Sequence, residues 1–144
     1  MLDQFHVPED IAVYVDPDVM RSTVEDIFVA LGMPEKHAEQ SADVLLYADV
    51  RGIDTHGVSN MLRIYVDRIH EGKINLNPNW SIVNEAPAAC TIDSDGAHGG
   101  VIGPEGMKEA IARGKKYGVG AVTVANGGHF GDGPRSGVLV CFAD

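Results

Sequence analysis

Within Arg51-Gly52-Ile53-Asp54-Thr55-His56-Gly57 an imidazole stands beside a hydroxyl and a carboxylate, with glycine on either side. Histidine exchanges a proton near neutral pH, so this segment has the parts for acid–base work. A second polar segment, Asn126-Gly127-Gly128-His129-Phe130-Gly131-Asp132-Gly133-Pro134-Arg135, offers another histidine among glycines. Glycines keep the approach to a side chain open and let the backbone adopt conformations that other residues resist. Either histidine could instead do no more than fix its own loop through a backbone carbonyl. Asp54, His56 and His129 could also be pictured as metal ligands, yet no compact metal motif is present, and we expect no metal. The remaining histidines, His6, His37, His70 and His98, fall in an N-terminal arm, in helices or in exposed turns. They read as solvated or locally hydrogen-bonded. Phosphate cradles are weak. Gly131-x-Gly133-x-x-Ser136 is one residue short of a dinucleotide fingerprint, and the glycines from Gly96 to Gly103 precede a helix without a P-loop ending.

Regular elements must bracket these loops. Residues 1–16 read as an irregular arm. Asp16-Pro17 is an N-cap followed by Pro at the first helical position, and Met20, Val24, Ile27, Phe28 and Leu31 follow at helical spacing up to Gly32. A second helix runs from Pro34-Glu35 to Arg51-Gly52, with Ala38, Ala42, Leu45 and Leu46 on one face. A third begins near Ser59, carries Leu62, Tyr65, Val66 and Ile69 inward, and is capped by Gly72. The His56 segment therefore joins two helices. Asn75 to Asn79 reads as a hinge, giving a helical lobe over 1–78 and a second lobe over 79–144.

In the second lobe, Trp80–Val83 and Ala89–Asp93 predict strands about a turn at Glu85-Ala86-Pro87. Ser94–Gly103 predicts a loop. A helix over Pro104–Tyr117 should turn Met107, Ala110, Ile111 and Gly114 inward, pair Glu109 with Arg113 outside, and end at Gly118. Gly120–Ala125 predicts a buried strand and Gly137–Ala143 one more. Strand, helix, strand at this spacing predicts a crossover of an α/β sheet.

Bulk properties narrow the functions. The 144 residues carry a formal net charge of -10, which disfavours nucleic acid and anionic membranes. The N-terminus shows no basic start followed by an apolar run, and no apolar stretch reaches the ~20 residues of a membrane helix. Cys90 and Cys141, both in apolar strand-like segments, read as small buried hydrophobes rather than a disulfide, and a cytoplasmic setting is expected.

Asp49-Val50-Arg51-Gly52-Ile53-Asp54-Thr55-His56-Gly57-Val58-Ser59-Asn60, followed by Tyr65, Gly72 and Asn77-Pro78, resembles the N-terminal signature of the malate/L-lactate dehydrogenase family. Thr91-Ile92-Asp93-Ser94-Asp95-Gly96, Gly118-Val119-Gly120 and Asn126-Gly127-Gly128-His129-Phe130-Gly131 follow in the family order, so the likeness covers roughly residues 17 to 131. Its relatives include ureidoglycolate, sulfolactate and 2,3-diketogulonate dehydrogenases.

The resemblance implies a reversible NAD- or NADP-dependent interconversion of a 2-hydroxy acid and a 2-oxo acid on a non-Rossmann α/β fold, usually in a dimer. It implies His56 and His129 as the active-site histidines. One takes the hydroxyl proton and the other orients the substrate oxygen. Thr55 stands where the family commonly has serine, and would hydrogen-bond substrate or cofactor. Arg51 or Arg63 would meet the substrate carboxylate, alongside Asn60, where the family often has Arg. Gly57 and Asn126 would line the cofactor. Family members are more than twice this long, and the likeness stops after Gly131. The expected architecture is thus a helical lobe and the start of an α/β domain, truncated, frameshifted or one piece of a split protein. A non-catalytic module that binds a partner chain is the rival expectation, and exposed apolar surface should lead to self-association.

Overall fold

A computed structural model of the chain describes residues 8–129 and, for the backbone alone, 136–142. His6, the segment Phe130–Arg135 and the side chain of Cys141 lie outside the described residues. The chain divides into two compact units, Met1–His70 and Glu71–Asp144.

The first unit is helical. Helix α1 (Pro17–Ala30) opens where Asp16 Oδ1 accepts the amides of Asp18 at 2.9 Å and Val19 at 3.2 Å, and Pro17 occupies the first turn. It buries Val24 and Phe28. Helix α2 (Glu35–Val50) answers with Ala38, Ala42, Leu45 and Leu46, all buried. A 3-10 turn, Asp54–His56, leads into α3 (Val58–His70), whose inward residues are Met61 and Tyr65. The predicted helices of this unit, their spacing and their bracketing of the His56 segment are all observed.

The second unit holds a four-stranded sheet in the order β1 (Ser81–Ala86), β2 (Ala89–Asp93), β3 (Val119–Ala125), β4 (Ser136–Phe142). The β1/β2 and β3/β4 pairs are antiparallel, whereas β2 and β3 run parallel, Ala89 opposite Ala121 and Asp93 opposite Ala125. Parallel neighbours require a crossover, and helix α4 (Gly99–Tyr117) supplies it. The core forms where Cys90, Ile92, Val122 and Val124 meet Ala97, Ile102 and Ala110, with Trp80 and Met107 at its edge. Ile92, Val122 and Val124 are fully buried; burial of each contributes about 1.5–3 kcal/mol relative to exposure. The helix lies close to the sheet because it presents Gly106, Ala110 and Gly114 inward. Gly120 on β3 completes that approach, since a Cβ there would fall on the Ala110 carbonyl oxygen and 2.7 Å from the Gly114 nitrogen.

Three expectations need correction. Helix α4 starts at Gly99, five residues before Pro104, so Gly99, Gly100 and Gly103, read as loop, lie in its first turns, the first two buried. Pro104 sits inside the helix, where it gives up one ladder hydrogen bond. Ile111 points partly outward, at 38% exposure, and the inner stripe runs through Gly106 instead. Strand β1 extends to Ala86, with the turn at Pro87-Ala88. All six β1 residues are exposed: the strand is a sheet edge, and its register slips between Ile82 and Asn84. The Asn75 amide donates to Gly96 O at 2.9 Å within the second compact unit. Among the described residues, no helix is long and apolar enough to cross a membrane.

Candidate functional site

The His56 turn is held from α2. Asp49, near the end of that helix, extends its carboxylate to the start of α3, where Oδ2 accepts the Val58 amide at 2.9 Å. This is an N-cap supplied from nine residues upstream, and it satisfies a donor that the first turn of α3 would otherwise leave orphaned. Gly57 makes the reach possible: a Cβ there would fall on the Asp49 carboxylate. Its φ of -85° is ordinary, so the need is for space, not for unusual backbone. Asn60 closes the other side, donating from Nδ2 to the Asp54 carbonyl at 2.6 Å. Asp49, Asp54 and Asn60 thus brace three points of one short turn.

On that brace Thr55 is half-buried and His56 exposed. Thr55 Oγ1 and His56 Nδ1 lie 2.8 Å apart. Which of the two donates is set by the tautomer of the imidazole. A cleft of about 530 Å³ adjoins the turn, walled by apolar Tyr14, Leu46, Val50 and Val58, with Asp49 and Asp54 on its lining. Arg51 lies face-on to the Tyr47 ring, 3.4 Å from its centroid, and Arg63 is exposed on α3.

The second candidate group gathers at the carboxyl ends of the parallel strands β2 and β3, the place where open α/β sheets present ligand-binding loops. Asn126 holds the two ends together. Its Nδ2 donates to Asp93 Oδ2 at 3.0 Å, its carbonyl accepts the Gly96 amide at 2.9 Å, and its φ of 52° turns the chain. The chain then crosses the start of α4: the Gly128 amide donates to Ala97 O at 2.7 Å, and a Gly128 Cβ would come within 2.8 Å of that oxygen. His129 follows directly. Beneath it, His98 caps α4 by accepting the Gly100 amide on Nδ1 at 3.2 Å. His98 is 1% exposed. Burial, and secondarily repulsion from the His129 charge, push its pKa down to about 4, so the ring stays neutral at physiological pH.

Two residues here were not legible as functional. Asp49 lies in the quoted motif but had no role, because its cap depends on two helices meeting. His98 was read as a solvated or locally bonded turn histidine; the local bond is present, yet the residue is buried and lies near His129. The pair His98-Gly99-Gly100, a bonding side chain before a helix start, was the available signal. The glycine-rich start of α4 is also no open anion seat, because the His98 ring and Gly128 already occupy it. Among the described residues, no three His, Cys, Asp or Glu side chains stand together as a metal site.

These features define an α/β protein with a histidine turn on a helical unit and a second histidine at the carboxyl rim of a parallel strand pair. The family model for malate/L-lactate dehydrogenases matches residues 15–135. The malate dehydrogenase of Pyrococcus abyssi is 40% identical over 131 residues, 91% of this chain and 36% of that protein. The L-sulfolactate dehydrogenase of Methanocaldococcus jannaschii is 36% identical over 115 residues, 80% of this chain and 33% of that protein. The solved malate dehydrogenase of Pyrococcus horikoshii OT3 superposes with a TM-score of 0.81 at 38% identity, covering 88% of this chain and 36% of that one. The chain belongs to the malate/L-lactate dehydrogenase family, as the Asp49–Asn60 signature led us to expect, and it spans about a third of the length of the curated relatives it matches.

Proposed function

We propose that this chain carries the proton-transfer part of an NAD- or NADP-dependent dehydrogenase that interconverts a 2-hydroxy acid and a 2-oxo acid. The observation that carries the reading is the Thr55–His56 pair, held at 2.8 Å on a turn braced from three sides, in a chain of this family. In oxidation, an imidazole takes the substrate hydroxyl proton as the carbon–oxygen bond becomes a carbonyl, and in reduction it returns that proton. His56 and His129 are the two carriers in this reading. Thr55 fixes the His56 ring, and Arg51 or Arg63 supplies the cation for the substrate carboxylate. Asn60, Gly57 and Asn126, expected to contact ligands, also brace the site: Asn60 Nδ2 donates to the Asp54 carbonyl, Asn126 Nδ2 to Asp93, and Gly57 makes room for Asp49.

The nicotinamide cofactor would supply the hydride acceptor. The start of α4 does not fit its phosphates, since His98 caps the Gly100 amide and Gly128 packs against Ala97 and Gly99 there. A cytoplasmic setting belongs to the same reading and is supported by the free, buried thiol of Cys90. So does self-association, as a homodimer, supported by the exposed apolar side chains Val13, Tyr14, Tyr47 and Val50. A single monomeric species in sedimentation velocity would count against it.

The test is turnover of malate and sulfolactate with NAD and with NADP, alongside titration of the chain with reduced cofactor. Turnover that His56→Ala or His129→Ala reduces by a factor of about 10² or more supports the roles. Turnover untouched by both substitutions refutes them. No cofactor binding at millimolar concentration refutes an enzyme sufficient in itself and favours the rival, a non-catalytic partner-binding module.

A further inference from the structure

The group that the proposed reaction does not use is His98. A polar ring is 1% exposed, directly under the loop that bears His129. Helix starts are ordinarily closed by Ser, Thr, Asp or Asn. Here an imidazole does it, accepting the Gly100 amide on Nδ1. The choice has a geometric result. The Ala97 carbonyl, whose residue precedes the cap, receives the Gly128 amide at 2.7 Å. The Cα of Gly128 also lies so close to Ala97 O, Gly99 N and His98 Cα that a methyl group would not fit. The segment 97–99 is therefore a seat, and Gly128 is pressed into it with His129 as the next residue.

We propose that His98 is a positioning residue for His129: by closing α4 it shapes the Ala97–Gly99 seat that fixes the Gly128–His129 backbone. The electrostatics agree with the geometry. Burial holds the His98 ring neutral, so it caps the helix without charge, whereas a carboxylate cap would place a buried negative charge beside His129. Among the described residues, the other charged groups of this rim are Asp93 at the end of β2 and Asp95 in the following turn. Asp93 accepts from the Asn126 side chain and the Asp95 amide, and α4 brings no acidic residue in its first turn.

The proposal rests on the reading of His129 as a proton carrier, but its test needs no turnover. Histidine ring titrations and amide exchange are followed by NMR on the full chain and on His98→Leu and His98→Asn. The leucine removes the cap. Exchange at the Gly128 amide should quicken roughly fivefold or more while the middle of α4, around Ala110, keeps its protection. The His129 titration midpoint should move with it. Asparagine, a capping residue, should restore both to wild-type values. Unchanged Gly128 exchange and an unchanged His129 midpoint in the leucine variant overturn the proposal. If that variant does not fold, the asparagine variant decides: folded with wild-type Gly128 exchange and His129 midpoint it supports the seat, and with either lost it overturns it. Loss of turnover in His129→Ala with these NMR results intact, or the reverse, separates the enzymatic reading from the positional one.

Discussion

Gly57→Ala should destabilise the helical unit for a reason that a second substitution can remove. The new methyl would land on the Asp49 carboxylate, forcing it away from the Val58 amide it holds at 2.9 Å. Losing an N-cap of this kind costs about 0.5–2 kcal/mol. Against that stands a gain. Gly57 has φ -85° and ψ -175°, which alanine adopts without strain, and replacing glycine at a compatible site stabilises by about 0.4–1 kcal/mol through the unfolded chain. The single variant should thus lose up to about 1.5 kcal/mol, the cap outweighing the gain. In an Asp49→Ala background there is no carboxylate to displace, so Gly57→Ala should become neutral or stabilising. The assay is a double-mutant cycle by urea unfolding, followed by helical circular dichroism. Equal costs of Gly57→Ala in both backgrounds would refute the link between the two residues, and with it the account of what holds the His56 turn.

Four further outcomes follow from the same geometry. Gly120→Ala puts a methyl against the backbone of α4 rather than against a movable side chain, and should cost on the order of 3 kcal/mol in thermal unfolding. Arg113 donates to the Ala86 carbonyl at 2.9 Å and to Glu85 at 2.7 Å from a nearly buried position. Arg113→Met should cost about 1–2 kcal/mol and loosen the β1/β2 turn, read by amide exchange there. Stability should also fall on acidification. His98 takes up its proton near pH 6.5 when unfolded but only near 4 when folded, so the unfolded chain binds more protons between those values. The loss runs from pH 6.5 down to 4 and amounts to at most about 3 kcal/mol; a stability–pH curve that His98→Asn leaves unchanged counts against it. Thr55→Val removes the hydroxyl beside His56 Nδ1 and should change the tautomer balance of the His56 ring, read from its nitrogen shifts by NMR, while Thr55→Ser should not.

How far the fold was legible depended on whether its signals were local. Asp16-Pro17 and Gly118 marked their helix ends because a cap is a property of adjacent residues, and the structure shows both. The start of α4 was hidden because Gly99, Gly100 and Gly103 have no side chains to display a period, and a run of glycines reads as loop. The exposure of Ile111 and the full exposure of β1 depend on what lies across from them, which spacing along the chain does not encode. The same division holds at the candidate site. His56 and His129 stood out by type and surroundings, whereas Asp49 and His98 act through contacts formed only when α2 meets α3 and when the β3 loop crosses α4. Family membership was legible because the motif blocks keep order and spacing.

The slip in register between Ile82 and Asn84 has a bearing on how copies of this chain can meet. A straight, exposed edge strand offers an unbroken row of amides and carbonyls to any passing chain, and so seeds strand-to-strand growth. On β1 that row is interrupted in its first half, and Glu85 adds a charge in the second. Zipping of two such edges into a continuous sheet is obstructed, which guards the hairpin against fibril-like polymerisation.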